Sequence, residues 1–166
     1  MDIGIAALCE VRRTDCGEIM AGVYTYCWSG HSDGYHSQGV AVAVSNMLIP
    51  MVIEVTLVNK RIVRLRIRHS LGVVSLFSLY APTKASDLNM KDAFYAMLES
   101  VVDQCPRRDT LRVLGDFNAS TETYRDGYET RVGPHGSGAV KQNSTKFFDF
   151  ARSHGLKVAG SWFQRP

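Results

Sequence analysis

The chain has 166 residues, with 19 lysines and arginines against 16 acids, a formal charge of 19 − 16 = +3. Apolar residues make up 45% and charged residues 21%, the balance of an ordinary globular domain, which excludes collagen-like, low-complexity and intrinsically disordered chains. A chain of this size buries roughly 70% of its unfolded surface, enough for one core and a single domain.

A charge of +3 is too small to argue for a nucleic-acid partner by itself. No stretch reaches the ~18 uninterrupted apolar residues of a membrane helix. The best run, Val40 to Val58, is broken by Ser45, Asn46, Pro50 and Glu54. Met1-Asp2-Ile3-Gly4 puts an acid where a secretory signal carries basic residues. Cys9, Cys16, Cys27 and Cys105 lack paired CxxC spacing and read as free thiols of a reducing compartment. The expectation is a soluble, intracellular, monomeric protein with no membrane segment.

In chain order, Ile3 to Val11 is an apolar run that fits a buried strand, or a helical turn leading into one, with Glu10 at its end beside Arg12 and Arg13. Residues 24–39 are aromatic, glycine-rich and polar, a strand opening into a long loop. Val40 to Val44 and Met51 to Val58 are β-branched runs that read as a pair of strands. From Arg61 to His69, Val63, Leu65 and Ile67 share one face and Arg64, Arg66 and Arg68 the other. Ser70-Leu71-Gly72 turns into a strand from Val73 to Tyr80. Three- and four-residue spacing of Ala93, Phe94, Met97, Leu98, Val101 and Val102 predicts a helix over about Ser86 to Gln104, stopped by Pro106. Leu111 to Leu114 is a short buried strand. A second helix follows from about Ser144, its N-cap, to His154, with Gly155 just past its end. Leu156 to Phe163 reads as the last strand. Many strands with two helices argue an α/β sandwich rather than a doubly wound parallel sheet.

The sharpest feature is Leu114-Gly115-Asp116-Phe117-Asn118-Ala119. An acid and an amide two residues apart at a strand end fall on the same side of the chain. Gly115 leaves room for close backbone approach. There a carboxylate can take a proton from water while the amide orients that water or a phosphate oxygen; the same letters also make an ordinary turn. Arg64, Arg66 and Arg68 read either as the solvated face of a strand or as a sequence-independent phosphate contact. His31 and His36 lack the spacing of a zinc site and read as solvated loop residues.

Two further pieces stand before that one: Ala6-Ala7-Leu8-Cys9-Glu10-Val11-Arg12 and Ser78-Leu79-Tyr80-Ala81-Pro82-Thr83. In this order the three resemble the endonuclease/exonuclease/phosphatase superfamily, and within it the apurinic-type endonuclease domain of non-LTR retrotransposons. Gly30, Gly39-Val40-Ala41, Gly133-Pro134-His135-Gly136 and Ser161-Trp162-Phe163-Gln164 match the same group. The resemblance implies a DNase I-like fold, two mixed β-sheets flanked by helices. It implies hydrolysis of DNA phosphodiester bonds by in-line attack of water with Mg²⁺, or Mn²⁺ in its place, and a nuclear location. Glu10 matches the metal ligand and Tyr80 the tyrosine at the scissile phosphate. Asp116 matches the residue that activates water, Asn118 its orienting partner, and Ser161 and Asn143 residues near the bound phosphate. A hard ion held by one or two carboxylates, keeping waters and taking phosphate oxygens, suits so sparse a set.

The chain also departs from that pattern. The family's opening strand, with an asparagine near the metal, lies upstream of the matched pieces, and its closing Asp-His pair downstream of them. Asp149 and His154 fall in the second helix instead. Cys9 stands where a glutamine is usual, and Lys141-Gln142-Asn143-Ser144 replaces Asn-x-Asn-Gly, which leaves only Asn143. The expectation is an endonuclease domain truncated at both ends, with activity reduced or absent. Two alternatives stand beside it: a non-catalytic binding module on the same fold, and a hydrolase of a small phosphoester.

Overall fold

The computed structural model describes residues 3–120, 127–135 and 142–164, with backbone alone at 142 and 143. The chain divides into two compact units, Met1–Ala81 with Val101–Asp116 and Pro82–Ser100 with Phe117–Pro166.

The first unit is a sandwich of two four-stranded sheets. β1 (Ile5–Cys9), β2 (Cys16–Ala21), β3 (Tyr24–Ser29) and β4 (Val40–Ser45) form one sheet in the order β1-β4-β3-β2, wholly antiparallel. β5 (Val52–Asn59), β6 (Ile62–His69), β7 (Gly72–Tyr80) and β8 (Thr110–Asp116) form the other in sequence order, mixed because β7 and β8 run parallel. Strand alternation sets the core. Val40, Val42 and Val44 of β4 pack in one cluster with Val63, Leu65 and Ile67 of β6, together with Cys27, Leu76 and Tyr80. At roughly 2 kcal/mol per buried aliphatic side chain, these residues outweigh any single polar contact at the sandwich edges, so edge residues are available for other tasks.

The Val40 and Met51 runs do not pair with each other. β4 lies between β1 and β3, while β5 is the edge of the second sheet; a 3₁₀ turn, Ile49–Met51, carries the chain across. A strand apolar on both faces belongs in a sheet interior, and Pro50 favours the turn over a hairpin. The arginine stripe is largely committed. Arg64 donates to Glu54 at 2.9 Å and to Thr56 at 3.0 Å, and Arg66 to Asp109 at 2.8 Å; Arg68 is exposed.

α1 spans Leu88–Asp103. Asp87 caps it, its Oδ1 accepting the Met90 N–H at 2.7 Å. Within the second unit, the buried Tyr95 ring of α1 lies 6.4 Å from that of Phe150 in α2 (Gln142–Ser153), beside buried Phe147 and Phe148. Ser144 is not the N-cap: it lies inside the first turn of α2, fully buried, and its Oγ accepts the Ser120 N–H at 3.1 Å. Gly155 does end the helix, with φ +67. Leu156 to Phe163 is not a strand. Only Val158 bridges to Val132, and Ala159–Ser161 is a 3₁₀ turn in which the Ser161 hydroxyl donates back to the Val158 carbonyl at 2.6 Å, a local bond that competes with strand pairing. Among the described residues no helix is long and apolar enough to cross a membrane.

Candidate active site

Register brings the site to one rim of the sandwich. In the first sheet Cys9 and Ser29 both pair with Val40; in the second, Leu79 pairs with Ile62 and Gly115, and Tyr80 with Asp116. The last residues of β1, β3, β7 and β8 therefore share an end. Side-chain contacts join the sheets there. The Cys9 thiol donates to the Leu79 carbonyl at 3.2 Å, and the Tyr80 hydroxyl donates to Glu10 Oε1 at 2.8 Å across 70 residues of sequence.

The backbone is shaped for this meeting. Glu10 has φ 53 and Arg12 φ 51, left-handed conformations that non-glycine residues adopt at a cost of about 1–3 kcal/mol and that cluster at functional sites. The turn is held where Val11 N–H meets the Gly39 carbonyl at 3.2 Å and Arg12 N–H the Gln38 carbonyl at 2.8 Å. Gly115 has φ +137, and a Cβ there would stand 1.9 Å from the Leu79 oxygen. Only glycine lets β8 run this close to β7 and deliver Asp116 beside Tyr80. The motif's glycine thus has a steric reason.

Electrostatics tie three of the expected residues together. Tyr80 is buried, and its hydroxyl titrates above the ordinary tyrosine range, first because it donates to Glu10, then through burial and the carboxylates of Glu10 and Asp116. Cys9 is likewise pushed up by burial, with Asp116 and Glu10 adding repulsion and a backbone hydrogen bond to Asp116 opposing it. Both carboxylates act on one hydroxyl and one thiol. Arg61 bonds the Tyr80 carbonyl at 3.0 Å and lies 5.4 Å above its ring. Arg12 pairs with Glu10 at 3.5 Å, an exposed contact worth little.

Glu10, Tyr80 and Asp116 are brought together. Asn118, Asn143 and Ser161 belong to the second unit. Asn118 is half-buried with φ 48. The backbone of Asn143 sits in the first turn of α2, and its side chain lies outside the described residues. Ser161, expected near a phosphate, is fully buried; besides donating to Val158 it accepts the Gly133 N–H at 2.8 Å. That hydroxyl holds the Gly133 segment. Arg61 joins the rim without a motif to mark it, because the contact that recruits it comes from the pairing of β6 with β7.

The chain matches proteins of known name over its whole length. It is 25% identical over 166 residues to craniofacial development protein 2 of Tragulus javanicus and 24% identical to that of Bos taurus, spanning 28% of each relative. The endonuclease domain of TRAS1, a telomere-specific non-LTR retrotransposon, superposes with a TM-score of 0.57 at 17% identity, over 81% of this chain and 54% of that one. The chain has a DNase I-like fold. No protein-family model matches it. In this DNase I-like fold the convergence of Glu10, Tyr80 and Asp116 falls at one sandwich rim.

The donor set fits a hard divalent ion. Among the described residues no group of three or more histidines, cysteines, aspartates or glutamates is placed to enclose a metal. Glu10, at the exposed rim, is the open, oxygen-only kind of ligand that Mg²⁺ uses alongside water and phosphate oxygens.

Proposed function

We propose that the chain is a Mg²⁺-dependent endonuclease domain that hydrolyses DNA phosphodiester bonds, which would set it in the nucleus. The observation that supports this reading most is the Glu10–Tyr80 hydrogen bond beside Asp116, all at one rim. Glu10 would hold the ion, which when bound neutralises charge on the phosphoryl oxygens. Asp116, exposed at the end of β8, takes the proton of the attacking water as its oxygen bonds to phosphorus. The resemblance assigns Asn118, two residues on, to orient that water. Tyr80 keeps its proton through neutral pH, since its hydroxyl titrates above the usual range, and is suited to donate it toward the phosphate or the departing ester oxygen. Mn²⁺ satisfies the same oxygen ligands.

The test is nicking of supercoiled plasmid in Mg²⁺ by the wild-type chain, Asp116→Asn and Glu10→Gln. The expected result is nicking by the wild type and a loss of about 10²–10⁴-fold in Asp116→Asn. Equal background nicking by all three proteins rejects catalysis. A second reading, DNA binding without cleavage, draws on the fact that both Glu10 oxygens have internal partners, Tyr80 and Arg12. Duplex binding with no nicking selects it, whereas hydrolysis of a phosphoinositide but not of DNA selects a small phosphoester substrate.

A further inference from the structure

We propose that Lys60, held in place by His31 and Asp33, is a seat for a backbone phosphate of the nucleic acid, a few nucleotides from the one acted on at Glu10 and Asp116. The proposal rests on the endonuclease reading and adds a substrate-binding group to it.

Lys60 lies in the turn between β5 and β6, which Asn59 fixes by accepting the Arg61 N–H on its side-chain oxygen at 2.8 Å. Its ammonium stands against the imidazole of His31, 3.0 Å from Nε2 and 3.4 Å from Nδ1. His31 Nδ1 in turn lies 3.2 Å from Asp33 Oδ1, and the imidazole side chain is only 15% exposed. Close to both ring nitrogens, the ammonium lies against the face of the imidazole, and Asp33 holds that ring in place.

The charge pattern is what calls for a ligand. Arg64 has Glu54, Arg66 has Asp109 and Arg12 has Glu10. Lys60 has no carboxylate within ion-pair distance among the described residues; its partner is a ring nitrogen. Immobilising a lysine costs rotamer freedom, and partly desolvating an ammonium costs more when no counter-charge answers it. An ammonium fixed in this manner is matched by an anion arriving from outside.

Its position chooses the anion. His31 lies two residues beyond Ser29 and Glu10 one beyond Cys9, and both strand ends pair with Val40. The Lys60–His31 and Glu10–Tyr80 contacts are thus two cross-sheet links on one rim. β4 separates β1 from β3, which puts their ends about 10 Å apart, two strand spacings, a span that nearby phosphates of one DNA strand cover. A small monophosphate has no second phosphate to offer there. A polynucleotide does.

The test measures binding of a short fluorescein-labelled DNA duplex by anisotropy across a salt series, for the wild type, Lys60→Gln and Lys60→Arg, with binding of inorganic phosphate followed in parallel. Lys60→Gln should weaken duplex binding severalfold and lower the slope of log K against log salt by about 0.9, the share of one phosphate contact. Lys60→Arg should restore the slope. A wild-type slope in Lys60→Gln overturns the seat alone. Loss of inorganic phosphate binding with the duplex slope intact overturns the nucleic-acid assignment in favour of a free anion. A wild-type chain that binds no duplex at any salt overturns the endonuclease reading together with the seat.

Discussion

Asp109 lies just before β8 and Asp116 closes it. The first side chain is 1% exposed and accepts from Arg66 at 2.8 Å and from Ser75 at 2.8 Å. The second is exposed, follows a glycine at φ +137 and precedes by two residues an asparagine at φ 48. Seven residues apart, the same functional group is sealed into the fold at one end of a strand and presented at the other. Glu10 is exposed as well, and its own backbone is left-handed, whereas at Asp116 the positive φ falls on the neighbouring Gly115 and on Asn118. A structural acid is recognised here by burial with its contacts gathered on one oxygen, Asp109 Oδ2, and a candidate catalytic acid by exposure at a rim where the backbone is held in place.

The comparison can be broken at three places. The largest effect is expected for Gly115→Ala, which must relieve a 1.9 Å approach to the Leu79 oxygen and adopt φ +137. Urea unfolding should show a loss of about 3–4 kcal/mol. A loss below about 1 kcal/mol would mean that β8 can back away, and that Asp116 is not delivered by steric necessity. Next, Asp109→Asn should cost about 2 kcal/mol at neutral pH. Arg66, and then Ser75, hold the Asp109 carboxyl below its usual range. A carboxyl lowered by folding contributes stability that is present above the unfolded value, about 4, and is lost as pH falls through the folded value. The gap between wild type and variant should therefore close on acidification below about pH 4; a gap that stays constant removes the ion pair from the account. The smallest change is expected for Glu10→Gly. It releases left-handed strain but forfeits the bond from Tyr80, effects of similar size and opposite sign, so stability should stay within about 1 kcal/mol of wild type while nicking disappears. A loss above about 2 kcal/mol would make Glu10 a structural acid like Asp109.

Much of the sandwich was legible because alternation is written locally. Val63, Leu65 and Ile67 are buried as their spacing requires, and in α1 Phe94, Leu98, Val101 and Val102 are buried as expected, while Ala93 and Met97 are exposed and Tyr95 is buried instead. β2 was not legible. Cys16–Ala21 carries a glycine and a glutamate and owes its strand state to pairing with β3. The final segment failed the other way: its apolar letters suggested a strand, but Ser161 bonds its own backbone and the Gly133 segment. At the site, Glu10, Tyr80 and Asp116 were legible as letters at strand ends. Their meeting was not, since it depends on which ends of two sheets coincide. The Cys9 thiol and the Lys60–His31 contact were silent for the same reason, as each needs a partner on the other sheet.

The hydrogen bond between Tyr80 and Glu10 closes a loop of 70 residues. Contacts so distant along the chain form only after the intervening strands have ordered, and such topologies refold slowly. Activity regained after dilution from denaturant should accordingly lag behind recovery of β-sheet signal, so that a nascent or partly refolded chain is chemically silent until its two sheets have docked.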